Sequence, residues 1–134
     1  MPSHFTFSTI IPVRITDINY GNHVGNDAIL SLLHEARMQF LMSHGFTELN
    51  CGGPGLIMKD VQIEFKNEIG YGDPVTAQLV TGNFSKVSFE LFYRLKNEDK
   101  TLVNAKTTMV CFDYASKKIA AIPAIVMEQL SAPH

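Results

Sequence analysis

The sequence predicts an α+β domain in which one long helix packs against an antiparallel sheet of about five strands. Two observations indicate this class. Apolar residues repeat at helical spacing in only one long segment, and most of the remaining chain alternates apolar and polar residues as strands do. The 134 residues suit one domain, assigned to residues 1–134. With 46% hydrophobic and 18% charged residues, the composition is that of a globular domain.

The first predicted element is a strand over residues 5–14. One face of this strand would carry alternate, mostly apolar residues, namely Phe5, Phe7, Thr9, Ile11 and Val13. Pro12 favours the edge of a sheet or the end of the strand, because proline donates no ladder hydrogen bond. Residues 16–27 then form a polar stretch rich in turn-forming residues.

The long helix is predicted from Asp27 to about His44. A stripe at 3.6-residue spacing marks the face that it would bury, made of Ile29, Leu32, Leu33, Ala36, Phe40 and Ser43. Gly45 is a stop signal directly after this stripe. Leu30 and Leu41 widen the apolar surface onto a flank, so we expect the helix to be covered on more than one side.

Four further strands are predicted after a glycine-rich connector. They cover residues 56–66, a segment from Val75, residues 87–95 and residues 101–113, and turn residues separate them. Pro123 suits the first turn of a short helix over residues 124–130. This order favours a four-strand antiparallel meander. The long helix can bury its stripe only against a face of that sheet.

A single helix wrapped by a curved antiparallel sheet is the hot-dog arrangement. Such a sheet has an open edge and an uncovered area, both of which oligomerisation would cover. The sequence therefore predicts a homo-oligomer, either a homodimer or a homotetramer.

Charge and cysteine usage exclude several function classes. The net charge of −2 and the absence of a basic stripe argue against a nucleic-acid partner. Cys51 and Cys111 lack metal-ligand spacing and suit a reducing compartment. We see no signal peptide and no apolar run of membrane-spanning length, so we expect a cytoplasmic protein without a membrane partner.

The segment from Asp17 to Asp27, followed by Glu35-Ala36-Arg37, resembles the signature of the 4-hydroxybenzoyl-CoA thioesterase-like hot-dog family. That family typically shows a D-x-D-x-x-G-H-V-N-N loop, a helix with E-A-R and a later G-D turn. The matching positions are Asp17, His23, Val24, Asn26, Glu35-Ala36-Arg37 and Gly72-Asp73. The resemblance runs from residue 5 to residue 113. It implies an acyl-CoA thioesterase whose site lies between two subunits.

Asn19 departs from the family pattern, because many members carry the second acid of D-x-D at this position. An amide cannot serve as the base or nucleophile of thioester hydrolysis. Asp27 is an acid where the family usually has a small or aromatic residue, so the carboxylate is expected to have moved along the chain. Asn19 and His23 also resemble, more loosely, the Asn and His of plant acyl-carrier thioesterases.

Physical chemistry supports such a site at the start of the long helix. Free N–H groups and the helix dipole stabilise negative charge there, as a thioester carbonyl requires. We expect Asp27 or Asp17 to be the base, His23 to assist and Asn19 to orient water or substrate. Substrate binding is assigned to Gly25, Asn26 and Glu35. No metal or other cofactor is expected, because His23 and the nearby acids lack a third clear ligand.

Structural roles remain open for each of these residues. Asn26 or Asp27 could cap the helix, and His23 or Asp17 could be satisfied within the turn. Glu35 and Arg37 are more often structural or solvated than catalytic on a helix.

Two other functions also remain open. One is an acyl-CoA or acyl-carrier binding protein without turnover, which Asn19 makes credible. The other is an enoyl-CoA hydratase of the same fold. Hydratases of this fold carry an Asp and a His about five residues apart in a longer loop, whereas Asp17 and His23 are six apart, so this function ranks last.

Overall fold

A computed structural model describes residues 1–13, 25–70 and 72–131, with only the backbone of residues 26 and 27. Within these ranges six strands and two helices form one α+β unit. In chain order they are β1 (Phe7–Ile11), α1 (Asn26–Ser43), β2 (Gly55–Phe65), β3 (Val75–Gly82), β4 (Ser88–Asn97), β5 (Lys100–Asp113), β6 (Lys118–Ile119) and α2 (Ala124–Leu130). The predicted strand positions and both helices are confirmed within a few residues, and β6 is an additional short strand.

The strands form one antiparallel sheet in the order β1-β3-β4-β5-β2, with β6 beside β5. The predicted four-strand meander is therefore wrong in one respect, because β2 does not lie beside β3. Both sides of β3 are taken by β1 and β4, and β2 pairs with β5 along ten positions. Sequence neighbours were assumed to pair, but β2 and β3 are not adjacent in this sheet.

The strands β3, β4 and β5 bury one face, which we call the inner face. Along β4 the inner-face residues are Phe89, Leu91, Tyr93 and Leu95, and each is no more than 1% exposed. Helix α1 packs over β1 and β3, and the rings of Phe40 and of Phe7 in β1 meet edge to face at 5.6 Å. The strict alternation predicted for β4 is confirmed, and it sets which side chains can reach α1.

The buried stripe of α1 is largely as predicted. Ile29, Leu32, Leu33, Ala36 and Phe40 are all at most 3% exposed, and Leu41 is also buried. Ser43 and Leu30 are exposed, so the covering of α1 is narrower at these two positions than the sequence predicted. One side of α1 is therefore exposed within the described chain.

Helix α1 ends in a Schellman motif at Gly45. The Phe46 N–H donates to the Leu41 carbonyl at 2.9 Å, and the Gly45 N–H donates to the Met42 carbonyl at 3.0 Å. Gly45 has φ +82°, a left-handed conformation that glycine adopts without steric cost. The predicted stop signal is confirmed, and it turns the chain into the connector that leads to β2.

The strand β2 forms one edge of the described sheet. Only its first two residues are buried, and Met58 and Phe65 are 42% and 49% exposed. Met58 pairs with Met109 and Asp60 with Thr108, so Lys59 is an extra residue in a β-bulge. Met58 and Phe65 thus remain accessible within the described chain, whereas Val61 and Ile63 are half-buried.

Candidate active site

The start of α1 is the centre of the predicted site. Gly25 is the N-cap residue, is buried, and has extended backbone angles of φ −69° and ψ 152°. Its carbonyl accepts a 3.0 Å hydrogen bond from the Ala28 N–H. The alternative that Asn26 or Asp27 is the N-cap residue is therefore wrong, since both belong to the first helical turn.

Asn26 and Asp27 are the first two residues of α1. Their backbone N–H groups therefore have no carbonyl acceptor within the helix. The helix dipole adds partial positive charge at the same place. Gly25 has no side chain to block the approach of a ligand. This arrangement can stabilise an oxyanion of the kind that forms when a thioester carbonyl is attacked.

Three of the predicted catalytic residues, Asp17, Asn19 and His23, lie outside the described residues. The backbone of Asp27 lies at the second position of α1, but its side chain is also outside the description. The identity of the base therefore stays a prediction, as does the role of each loop residue.

Glu35 lies on the exposed side of α1, nine residues beyond Asn26. Its Oε2 accepts a 2.7 Å hydrogen bond from Nε2 of Gln39, one helical turn later. The Oε1 atom of Gln39 accepts a hydrogen bond from the hydroxyl of Thr9 in β1. A spacing of four residues on a helix favours this contact between Gln39 and Glu35.

Arg37 is only 7% exposed and lies within a buried polar network. Its Nε donates to Oε1 of Glu48 at 2.7 Å, and its Nη1 donates to the Tyr93 hydroxyl at 3.0 Å. The Tyr93 hydroxyl lies 2.8 Å from Oγ1 of Thr107. Its burial and both hydrogen bonds confirm the structural role expected of Arg37, and they show that the solvated role is wrong.

The surroundings of Arg37 and Tyr93 keep both side chains in their usual protonation states. Burial by itself would lower the pKa of Arg37, but Tyr93 and Glu48 together raise it above the ordinary value. Burial raises the pKa of Tyr93, and Arg37 and Thr107 oppose that change only in part. The network therefore presents a charged guanidinium and a neutral phenol, which suit a structural tie better than proton transfer.

The turn predicted at Gly72-Asp73 precedes β3 and is held by its own carboxylate. Oδ2 of Asp73 accepts a 2.7 Å hydrogen bond from the Gly70 N–H, and the Asp73 N–H donates to the Gly70 carbonyl at 3.1 Å. Asp73 thus has a local structural role, which explains why this residue type suits the position.

Neither cysteine is a candidate nucleophile. Cys51 and Cys111 are free thiols that are fully buried. Burial, with a smaller contribution from Cys111, raises the pKa of Cys51 to about 12. Among the residues that the structure describes, no three His, Cys, Asp or Glu side chains group as a metal site. No helix in the described ranges is long and apolar enough to cross a membrane.

Comparison with known proteins points to one family and one fold. A family model described as the thioesterase-like superfamily matches residues 13–130. The 1,4-dihydroxy-2-naphthoyl-CoA thioesterase of Synechocystis is structurally similar with a TM-score of 0.83 and 22% identity, over 92% of this chain and 94% of that one. A comparison with curated proteins finds no match.

Two other solved structures agree with this fold. A hypothetical protein of Aquifex aeolicus gives a TM-score of 0.86 at 24% identity, over 94% of this chain and 100% of that one. A member of the thioesterase superfamily from Jannaschia sp. CCS1 gives 0.83 at 21% identity, over 96% and 83%. The likenesses confirm the predicted hot-dog arrangement.

Proposed function

This chain belongs to the thioesterase-like superfamily, and we infer that it is an acyl-CoA thioesterase, which hydrolyses a thioester to a free acid and coenzyme A. The observation that carries this conclusion is the family match over residues 13–130, which includes all of α1 and the predicted loop residues before it. The hot-dog fold shared with the Synechocystis enzyme supports the same reaction class, and that enzyme acts on an aromatic acyl-CoA.

In the proposed mechanism the carbonyl oxygen of the thioester accepts a hydrogen bond from the backbone N–H of Asn26. A carboxylate, Asp27 in preference to Asp17, removes a proton from water as the water oxygen attacks the carbonyl carbon. The tetrahedral oxyanion then collapses, the carbon–sulfur bond breaks, and the thiolate of coenzyme A takes up the proton. The start of α1 at Asn26 supports the first contact.

The remaining loop residues have assisting roles in this proposal. His23 would help to hold the base or the leaving group, and Asn19 would orient water or substrate through its amide. Gly25 leaves room for the acyl group beside the helix start. The preference for Asp27 rests on its position at the second residue of α1, close to the proposed oxyanion contact.

We also propose that the protein works in the cytoplasm as a homodimer or homotetramer. The exposed apolar residues of β2, together with its free edge within the described sheet, support an interface there. The free thiols Cys51 and Cys111 suit a reducing compartment. Pantetheine would then pass along the protomer interface.

The products formed from acyl-CoA substrates distinguish hydrolysis from the two alternative functions. The purified protein is mixed with saturated acyl-CoAs of several lengths, with an aromatic acyl-CoA and with crotonyl-CoA. A thioesterase releases free acid and thiol, a hydratase converts crotonyl-CoA to the hydroxyacyl thioester without thiol release, and a binding protein changes neither. Hydration without hydrolysis would overturn the proposed function.

A further inference from the structure

The hairpin between β5 and β6 exposes both apolar and basic side chains. Tyr114 and Ile119 are 48% and 61% exposed, and the turn between them carries the exposed residues Lys117 and Lys118. The ring of Tyr114 meets the ring of Phe112 edge to face, with 5.2 Å between the two centroids. This hairpin therefore presents an apolar surface with two lysines beside it.

A third lysine lies next to this hairpin. The carbonyl of Lys86 accepts a 2.8 Å hydrogen bond from the Ile122 N–H, so the segment before β4 runs beside the chain that leaves β6. The side chain of Lys86 is exposed as well. We call the following five residues the hairpin surface: Lys86, Tyr114, Lys117, Lys118 and Ile119.

The three lysines of the hairpin surface are not neutralised within the described chain. None of them forms an ion pair with a carboxylate among the described residues. Asp113 lies at the base of the hairpin, and its carboxylate accepts hydrogen bonds from the backbone N–H groups of Ala115 and Ser116. Three lysines against this one carboxylate leave a local positive charge, although the whole chain has a net charge of −2.

The charge and size of the hairpin surface limit what can bind there. Two copies that met through this surface across a two-fold axis would oppose their lysines. Basic segments that hold a protein on anionic lipid usually contain about four to eight Lys or Arg, more than this surface offers. Exposed apolar side chains beside unpaired charges suit a protein partner of the opposite charge. The hairpin surface therefore favours an acidic protein.

The hairpin surface also adjoins one end of β2. A side chain at Gly55 would overlap the ring of Tyr114, so this ring lies directly over the first residue of β2. Strand β2 forms the free edge of the described sheet, along which the proposed function routes pantetheine between two protomers. A partner held at the hairpin surface is therefore placed at one end of that route.

We propose that the hairpin surface docks an acidic acyl-carrier protein, whose pantetheine-bound acyl group then enters along the β2 interface. The proposal rests on the proposed function, because it supplies that site with its thioester. The three lysines attract carboxylates of the carrier, and Tyr114 and Ile119 pack against its apolar side chains. Coenzyme A has the same pantetheine arm but no protein surface, so hydrolysis of acyl-CoA does not depend on the hairpin surface.

Three variants and two thioesters test the proposal. The first variant combines Lys117→Glu with Lys118→Glu, and the second is Ile119→Ser. The control combines Lys96→Glu with Lys100→Glu, which makes the same change of net charge at the β4–β5 hairpin. We measure kcat/KM with an acyl-CoA and with a bacterial acyl-carrier protein that bears the same acyl group. The Kd of the carrier with its free pantetheine thiol is measured by calorimetry, and melting temperatures check folding.

We expect the double lysine variant to lose about 10-fold or more in kcat/KM for the acyl-carrier substrate and to bind the carrier correspondingly more weakly, because charge reversal removes the electrostatic attraction. Ile119→Ser should lower the same two quantities about 5-fold. Added salt should slow the unaltered protein with the acyl-carrier substrate. All variants should hydrolyse acyl-CoA as the unaltered protein does, and the control should match it with both thioesters.

Equal losses with both thioesters would overturn the proposal, because the lysines would then bind the phosphates of coenzyme A or support the fold. An equal loss in the control would overturn it by showing an effect of net charge alone. Vesicles that contain phosphatidylglycerol test a membrane partner. Binding to them that the double lysine variant loses, with unchanged binding of the carrier, would also overturn the proposal.

The two proposals fail in different ways. Hydrolysis of acyl-CoA without binding of the carrier would overturn the docking and leave the proposed function intact. Carrier binding that depends on the hairpin surface, with no hydrolysis of either thioester, would overturn the proposed function and support the docking.

Discussion

Nε of Arg37 donates a 2.7 Å hydrogen bond to Oε1 of Glu48, and this ion pair ties the middle of α1 to the connector that precedes β2. Arg37 also donates to Tyr93 on β4, so helix, connector and sheet meet at one buried guanidinium. A charge buried in this way is tolerated only while it keeps its partners. Loss of a partner of Arg37 should therefore lower the free energy of unfolding.

Glu48→Gln should lower the free energy of unfolding by about 2–3 kcal/mol, because it leaves the buried Arg37 guanidinium without a counter-charge. Chemical denaturation measures the change. The matched control is Lys66→Gln, which breaks the exposed pair of Lys66 with Glu64 and should cost less than about 0.5 kcal/mol. Equal losses of unfolding free energy in the two variants would show that the Arg37–Glu48 pair stabilises the protein no more than an exposed ion pair does.

The buried thiols should be inert in the folded protein. With its pKa raised to about 12, Cys51 stays a protonated thiol at pH 8 and cannot act as a nucleophile. A thiol reagent should therefore label neither Cys51 nor Cys111 until denaturant is added, when both react. Stability should also fall as the pH rises from about 9 towards 12, because only the unfolded chain ionises there. Rapid labelling at pH 8 without denaturant would contradict this environment.

The identity of the base is tested by two matched substitutions. Asp27→Asn and Asp17→Asn each remove a charge while keeping size and much of the hydrogen bonding. If Asp27 is the base, its variant should lose about 100-fold or more in kcat with an unchanged melting temperature. Asp17→Asn should mainly lower the melting temperature. The reverse pattern would return the chemistry to Asp17.

Oligomeric state is tested by light scattering at micromolar concentration. We expect a dimer or tetramer, because β2 leaves Met58 and Phe65 exposed beside a free edge of the described sheet. Replacing the two residues together, Met58→Lys with Phe65→Lys, should shift the protein towards monomer. A monomeric unaltered protein would remove the model of a site shared between subunits.

The sequence predicted the elements of this fold better than their arrangement. The apolar alternation of β4 and the glycine stop at Gly45 are local signals, and both are confirmed. The pairing of β2 with β5 could not be derived in the same way. It depends on which strand edges are already occupied, and no pattern within residues 55–65 records that.

The sequence predicted the start of α1, where the candidate site is proposed, but not the contacts around that helix. Turn residues before an apolar stripe predicted where α1 begins, and the structure places Gly25 at its N-cap. The burial of Arg37 was not predictable, because its partners Glu48 and Tyr93 are remote in sequence and Tyr93 reads as an ordinary core residue. The one signal for such a network is that a buried tyrosine hydroxyl usually has a hydrogen-bond partner.

The most direct test of the central claim is the release of coenzyme A from an acyl-CoA by the purified protein. Free thiol is followed with a chromogenic reagent, and the free acid is quantified in the same samples. Since Cys51 and Cys111 are buried, the protein itself should contribute little signal. We predict multiple turnovers with equal amounts of thiol and acid for at least one acyl-CoA of the panel. Tight binding of acyl-CoA with no thiol released from any of them would contradict the thioesterase assignment.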